Sequence, residues 1–230
     1  MIKALVFDFD GLILDTELSA LQSWQEVYQS YKCELPLEKW ALCIGSGFEA
    51  FDPYIYLEAL LGRAVLREEI ASQILKRSVE MIETQVALPG IEDAIKAAKR
   101  LGLKIAVASS SPRSWVVGHL MRLGLHEKFD AMKFGDEVVQ KKPHPEIYLA
   151  ALELLGVGAD EAIALEDSPN GVRAAQRAGI FCVAIPNLVT GQLPLDHADL
   201  RLKSLADLPL EQLIALVENK QVQKSQESMA

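Results

Sequence analysis

Four short apolar runs, Ala4–Phe7, Ile105–Ala108, Ala162–Leu165 and Cys182–Ile185, each give way to a stretch with helical spacing. A fifth and weaker run spans Ala131–Phe134. Strands that are apolar at every position, with no polar face, must be covered on both sides, and strands that alternate with helices pair in parallel. The pattern predicts an α/β fold: a Rossmann-like parallel sheet with helices over 90–101, 112–123, 145–156, 168–178 and 208–218. No segment recurs at a solenoid period.

One stretch breaks the alternation. Between Glu17 and Val86 the chain shows only helical periodicity, as in Leu18, Leu21, Trp24, Val27, Tyr28 and Tyr31, which form one apolar face. Helical patterns follow near 36–43, 49–61 and 67–84, and Pro89-Gly90 marks the return to strands. The expected organisation is an α/β core of residues 1–15 and 88–218, an all-helical cap inserted at 16–87, and a polar flexible tail over 219–230.

Charge and composition narrow the function. With 23 Lys+Arg against 32 Asp+Glu the net charge is −9, so no basic excess exists to displace counterions from a nucleic acid. No apolar run approaches the ~18 residues of a membrane span. Cys33, Cys43 and Cys182 are odd in number and unpatterned, which reads as reduced thiols. Met1–Gly11 lacks the cleavage site of a signal peptide. The chain is expected to be cytoplasmic, with neither nucleic acid nor membrane as partner, and to act as a monomer, a dimer being the alternative.

Four motifs carry chemistry. In Asp8-Phe9-Asp10-Gly11, after the first strand, positions two apart share a face, so Asp8 and Asp10 point together while Phe7 and Phe9 face the other way. Two carboxyls that close should differ in pKa, which sets a nucleophile or metal ligand beside a proton donor. Gly11 lets the backbone turn away from the sheet. In Ser109-Ser110-Ser111-Pro112, Ser111 reads fully as a helix N-cap, whereas Ser109 is left at a strand end beside free amides, where an anion binds. In Lys141-Lys142-Pro143-His144-Pro145 the prolines stiffen a lysine that can neutralise a phosphate, and His144 reads as a local cap. In Glu166-Asp167-Ser168-Pro169 the two acids follow a strand, and their hard oxygens suit Mg²⁺. All four lie where active sites of open α/β sheets lie, at the carboxyl ends of the strands. Acids for a metal, with a hydroxyl and a lysine for an anion, amount to a phosphoryl-transfer site.

DFDG with Asp15-Thr16-Glu17 behind it, VASSS, KKPHP and LEDSPNG resemble, in order, the four motifs of the haloacid dehalogenase-like hydrolases. The position of the helical insertion is similar to the branch with a cap after the first motif, which includes phosphoglycolate phosphatase and beta-phosphoglucomutase. The resemblance covers residues 1–218 and implies a Mg²⁺-dependent phosphatase acting on a small phosphorylated metabolite through an aspartyl-phosphate. It implies Asp8 as nucleophile, Asp10 as general acid/base, and Ser109 and Lys142 as phosphate contacts. Mg²⁺ would be held by Asp8, Asp167 and the backbone carbonyl of Asp10, with Glu166 a further ligand or a partner of one. Thr16 stands at the first cap hinge, and the second falls near Leu88-Pro89-Gly90.

Three other readings compete. A dehalogenase needs no acid for a leaving alkoxide, and Asp10 speaks against it. A phosphomutase of this branch has a histidine four residues after the threonine, where this chain has Ala20, and a cap arginine after a Gly-Val-Ser turn, where this chain reads Ile44-Gly45-Ser46-Gly47-Phe48. A non-enzymatic phospho-accepting signalling domain is about half as long and has no cap. Within the cap, Gly45-Ser46-Gly47 reads as a loop dipping toward the core. Trp24, Trp40, Tyr54 and Tyr56 read as cap core, and Arg63, Lys76 and Arg77 as a solvated face.

Overall fold

The computed structural model describes residues 1–44, 48 and 51–227. Six parallel strands form one sheet: β1 (Ala4–Phe7), β2 (Lys104–Ser109), β3 (Ala131–Phe134), β4 (Ala162–Glu166), β5 (Phe181–Ala184) and β6 (Leu200–Arg201), in the order β3-β2-β1-β4-β5-β6. The first five match the five apolar runs to within a residue or two at each end. β6 is two residues long, too short for any period to show. The chain winds outward from β1 in both directions, so the strand order reverses beside β1 and opens a crevice at the carboxyl ends there.

The strands are buried on both sides, as continuous apolar runs require. Leu5, Phe7, Ile105, Val107, Ile163 and Leu165 face one layer, packed with α5 (Ile91–Arg100), α6 (Arg113–Arg122) and α9 (Leu210–Glu227). Ala4, Val6, Ala106, Ala108, Ala162 and Ala164 face the other, under α7 (Glu146–Leu155) and α8 (Pro169–Arg177). Small residues on this second face let α7 and α8 lie close to the sheet. Phe9 joins Phe7 in the first layer, which leaves Asp8 on the side of α7 and α8.

Between β1 and β2 come α1 (Thr16–Ser30), α2 (Leu37–Trp40), α3 (Pro53–Leu61) and α4 (Arg67–Glu83), with a separate core of Leu21, Trp24, Tyr28, Leu35, Trp40, Leu57 and Ile70. Tyr54 and Tyr56 pack against that core. The two chain segments joining it to the sheet run side by side. Leu88 donates its N–H to Ile13 O at 2.9 Å, and Gln85 Nε2 donates to Asp15 O at 3.0 Å. Arg122 of α6 donates to Ile82 O and Gln85 O, at the end of α4. Gly45-Ser46-Gly47 lies outside the described residues.

The polar segment from Asn219 departs from its expectation, because α9 continues through Glu227. Glu218 accepts from Ile2 N at 2.8 Å, and Gln221 Nε2 donates to Asp160 O at 3.2 Å. Polar contacts of this kind hold a helix without leaving an apolar period in its sequence.

Candidate active site

Strand register brings the first acids together. Phe7 of β1 pairs with Leu165 of β4 and Val107 of β2, so the next residues, Asp8, Glu166 and Ala108, are level and share a face. Lys142 enters from the loop before α7 and bridges all three. Its Nζ donates to Asp8 Oδ1 at 2.6 Å, Glu166 Oε1 at 2.6 Å and Ala108 O at 2.8 Å. Those three acceptors use all three protons of an ammonium. Burial lowers the Lys142 pKa, but the Asp8 and Glu166 charges outweigh it and the net direction is upward, so the ammonium stays charged. Burial, then the Glu166 charge, push the Asp8 carboxyl from 3.8 up to about 7, against the pull of Lys142.

Glu166 is fully buried and saturated with donors. Its Oε1 also accepts from Tyr148 OH at 2.6 Å, and its Oε2 from Asp167 N, Ser168 N and Ser168 Oγ at 3.2–3.4 Å. A carboxylate offers about four lone-pair sites, so little remains for a metal ion. Gly171 makes the arrangement fit: a Cβ there would lie 1.9 Å from the Glu166 carboxyl carbon. Tyr148 escapes notice in the sequence because its place on α7 reads as ordinary apolar periodicity.

Asp10 is held from α6 and the loop before it. Ser111 Oγ donates to Asp10 Oδ2 at 2.7 Å, Ser109 Oγ to the same oxygen at 3.3 Å, and Trp115 Nε1 to Oδ1 at 2.9 Å. This corrects the reading of Ser111 as a helix cap. Helix α6 starts at Arg113, whose N–H is taken by Asp136 at 3.1 Å, which leaves the Ser111 hydroxyl for Asp10. Asp136 comes from the turn after β3, and nothing in the local sequence pairs it with α6. By contrast Ser168 caps α8 as read, accepting from Gly171 N at 3.2 Å.

Asp167 lies across from Asp8. Its Oδ2 accepts from Asn187 Nδ2 at 3.0 Å, and Asn187 also donates to Gly11 O at 3.2 Å. Gly11 has φ +81°, and a Cβ there would sit 2.1 Å from Asp167 Oδ2, so only glycine admits this approach. Burial, then the Asp8 and Glu166 charges, raise the Asp167 pKa well above its usual range. Asn187 follows β5, where the strand-end rule could have flagged it.

A cavity of about 660 Å³ opens over these groups, lined from the core by Asp8, Asp10, Ser109, Lys142 and Asp167, and from the insertion by Thr16, Glu17, Ala20, Ser78 and Ile82. Thr16 is the buried first residue of α1, whose N-cap is Asp15. His144 stays local, its Nδ1 facing Glu146 N. Arg77 pairs with Glu26 at 2.8 Å, and Arg63 lies over the Tyr31 ring, away from the cavity.

Carboxylate oxygens of Asp8, Glu166 and Asp167 lie within 4.8 Å of one another. Among the described residues, Asp8 and Asp167 each keep one oxygen without a hydrogen-bond donor. Several buried carboxyls meet one ammonium, and the excess is negative. A hard, oxygen-seeking dication fits this donor set, and Asp8 and Asp167 rather than the saturated Glu166 would be the residues to hold it.

The haloacid dehalogenase-like hydrolase family model matches residues 5–185. The chain is 45% identical over 214 residues to "Putative phosphatase YhcW" of Bacillus subtilis (strain 168), which covers 93% of this chain and 97% of that protein. It is 32% identical over 195 residues to "Phosphorylated carbohydrates phosphatase" of Thermotoga maritima, covering 77% and 82%. Among solved structures, CbbY from Rhodobacter sphaeroides in complex with phosphate superposes with a TM-score of 0.68 at 33% identity, over 90% of this chain and 96% of that one. Family match, relatives and fold agree with the four motifs gathered at one crevice: the chain belongs to the haloacid dehalogenase-like hydrolases.

Proposed function

We propose that this chain is a Mg²⁺-dependent phosphatase that hydrolyses a small phosphorylated metabolite, a sugar phosphate or similar phosphomonoester, through an aspartyl-phosphate on Asp8. The observation that carries this reading is the buried Lys142 ammonium at 2.6 Å from Asp8, with Ser109, Asp10 and Asp167 around the same cavity. A relative named for phosphorylated carbohydrates supports the substrate class.

Each residue then has a task. The Ser109 hydroxyl meets the phosphoryl oxygens, while Lys142, its protons taken by Asp8, Glu166 and Ala108 O, fixes the rotamer of Asp8 and sets a positive charge beside the phosphate. A carboxylate oxygen of Asp8 attacks phosphorus, while Asp10 gives a proton to the leaving alkoxide. Asp10 next takes a proton from the water that hydrolyses the acyl phosphate, returning both carboxyls to their starting states. Ser111 and Trp115 aim Asp10 throughout. Asp8, Asp167 and the Asp10 carbonyl would hold a divalent cation, which would supply the positive charge a carboxylate needs to approach a phosphate. The cap of residues 16–87, hinged at Thr16 and near Leu88–Gly90, covers the cavity during transfer and opens for release.

Turnover of p-nitrophenyl phosphate with and without Mg²⁺ tests the reading. Mg²⁺-dependent release, silenced reversibly by EDTA, is the expected result. Persistent activity in EDTA removes the metal, and stoichiometric phosphorylation without turnover makes the chain a signalling domain. Glucose 1-phosphates, followed for isomerised product as well as free phosphate, separate hydrolysis from mutase chemistry.

A further inference from the structure

One charged side chain of the cavity has no task in this scheme. Glu17, the second residue of α1, lines the same cavity as Asp8 and Asp10. Among the described residues its carboxyl has neither a hydrogen-bond nor an ion-pair partner. Its neighbour Asp15 is engaged, accepting from Leu18 N at 3.1 Å, so Asp15 is spent on the helix and Glu17 is not. Burial, then the charges of Asp10, Asp8 and Asp15, push the Glu17 carboxyl up to about 8 in the metal-free chain, and a dication held by Asp8 and Asp167 would offset those charges and favour the carboxylate. A half-buried carboxyl set among other acids costs folding energy, only partly offset by its place in the first turn of α1. Such a group in a cleft is accounted for by what enters the cleft.

The rest of the lining says what that is. The cations of the cavity, Lys141 and Lys142, both come from the core loop, and Lys142 is committed to Asp8 and Glu166. From the insertion the described lining offers Glu17, the Thr16 and Ser78 hydroxyls, and the apolar Ala20, Ile44 and Ile82, with no positive charge. A second phosphate or carboxylate turned toward the insertion would meet Glu17 with no cation among the described residues of that wall. Hydroxyl groups would give it the donors it lacks.

From a Glu17 carboxyl unpartnered among the described residues, on a side of the cavity whose described lining holds no cation, we infer that Glu17 is a specificity-determining residue that binds leaving-group hydroxyls and selects polyhydroxylated, otherwise uncharged phosphomonoesters. The inference rests on the phosphatase reading for the identity of the cavity, and it narrows a substrate class that would otherwise admit phosphoglycolate-like diacids.

Calorimetry on Asp8→Asn protein with Mg²⁺ tests it without turnover. Glucitol 6-phosphate should bind about ten- to a hundredfold more tightly than hexyl phosphate, the range for one or two hydrogen bonds to a charged group. In Asp8→Asn/Glu17→Ala and Asp8→Asn/Glu17→Gln that ratio should fall toward unity. In otherwise native protein, kcat/KM for glucitol 6-phosphate over phosphoglycolate should fall in the same Glu17 variants. A ratio unmoved in both variants, or a loss equal for glucitol and hexyl phosphate, overturns the role of Glu17. If no phosphomonoester is turned over yet the binding ratio collapses on substitution, the inference stands and the phosphatase reading falls.

Discussion

Asp10 shows how much of a catalytic group's behaviour is set by residues outside the motifs. Both its oxygens are occupied, one by Ser111 and Ser109, the other by Trp115. If Asp10 is the general acid, Trp115→Phe should matter only where an acid matters. Losing one hydrogen bond to a charged group should lower kcat/KM for alkyl phosphates about ten- to a hundredfold. The p-nitrophenyl ester, whose phenolate leaves without help, should suffer much less. Asp10→Asn should slow alkyl ester turnover by roughly 10²–10⁴-fold. An equal loss on both ester types in Trp115→Phe would make the tryptophan a packing residue. The aspartates, Ser109 and Lys142 were legible because each stands at or just beyond a strand's carboxyl end or in a proline-stiffened loop, where side-chain direction follows from local rules. Ser111 and Trp115 were not. Their direction depends on Asp136 capping α6 from another loop, and that is a tertiary fact.

At the scale of elements, the register between β1, β2 and β4 aligns Asp8 with Glu166 and Ala108, and a slip of one residue would turn Asp8 toward the opposite layer. Helix α8 must then pass close enough to seat Gly171 against the Glu166 carboxyl. Gly171→Ala is expected to force a shift there, at about 1–3 kcal/mol of stability as for other overpacked sites. It should also displace Lys142, so that a thermal melt and kcat fall together. A variant with native stability and native kcat would show that α8 yields freely and that Glu166 does not need its present seat. The sheet was readable because five strands are apolar on every residue. The two-residue β6 carries no period, and α9 beyond Asn219 is held by polar contacts from Glu218 and Gln221.

Charge organises the whole molecule. Asp8 and Glu17 have pKa values raised from 3.8 to about 7 and from 4.5 to about 8, so the folded, metal-free chain holds protons that the unfolded chain has released. Stability should therefore fall as pH rises between about 4 and 8, and Glu17→Gln should flatten that slope. A rising stability over the same window would contradict the charge balance described here. Adding Mg²⁺ should restore stability at neutral pH, by about 2.7 kcal/mol when the free ion stands at a hundred times its Kd. Asp167→Asn should lose most of that gain, which calorimetric melts would register without any substrate. Among the described residues no helix is long and apolar enough to cross a membrane. The separate apolar core of α1–α4, joined to the sheet by two adjacent segments, is the part the sequence announced most plainly, since helical spacing there is unbroken by any strand. What the cap contributes to the cavity, residue by residue, was not legible, because it depends on how α1 and α4 lean over the strand ends.

The central claim is that Asp8 carries the phosphoryl group between substrate and water. Borohydride reduction during turnover, followed by peptide mass spectrometry, reads this directly, because hydride attacks an acyl phosphate and spares a free carboxylate. The account predicts that Asp8 is converted to homoserine only when both Mg²⁺ and substrate are present, with activity lost in step. Sustained turnover with Asp8 unmodified, or wild-type rates in Asp8→Asn, would contradict it.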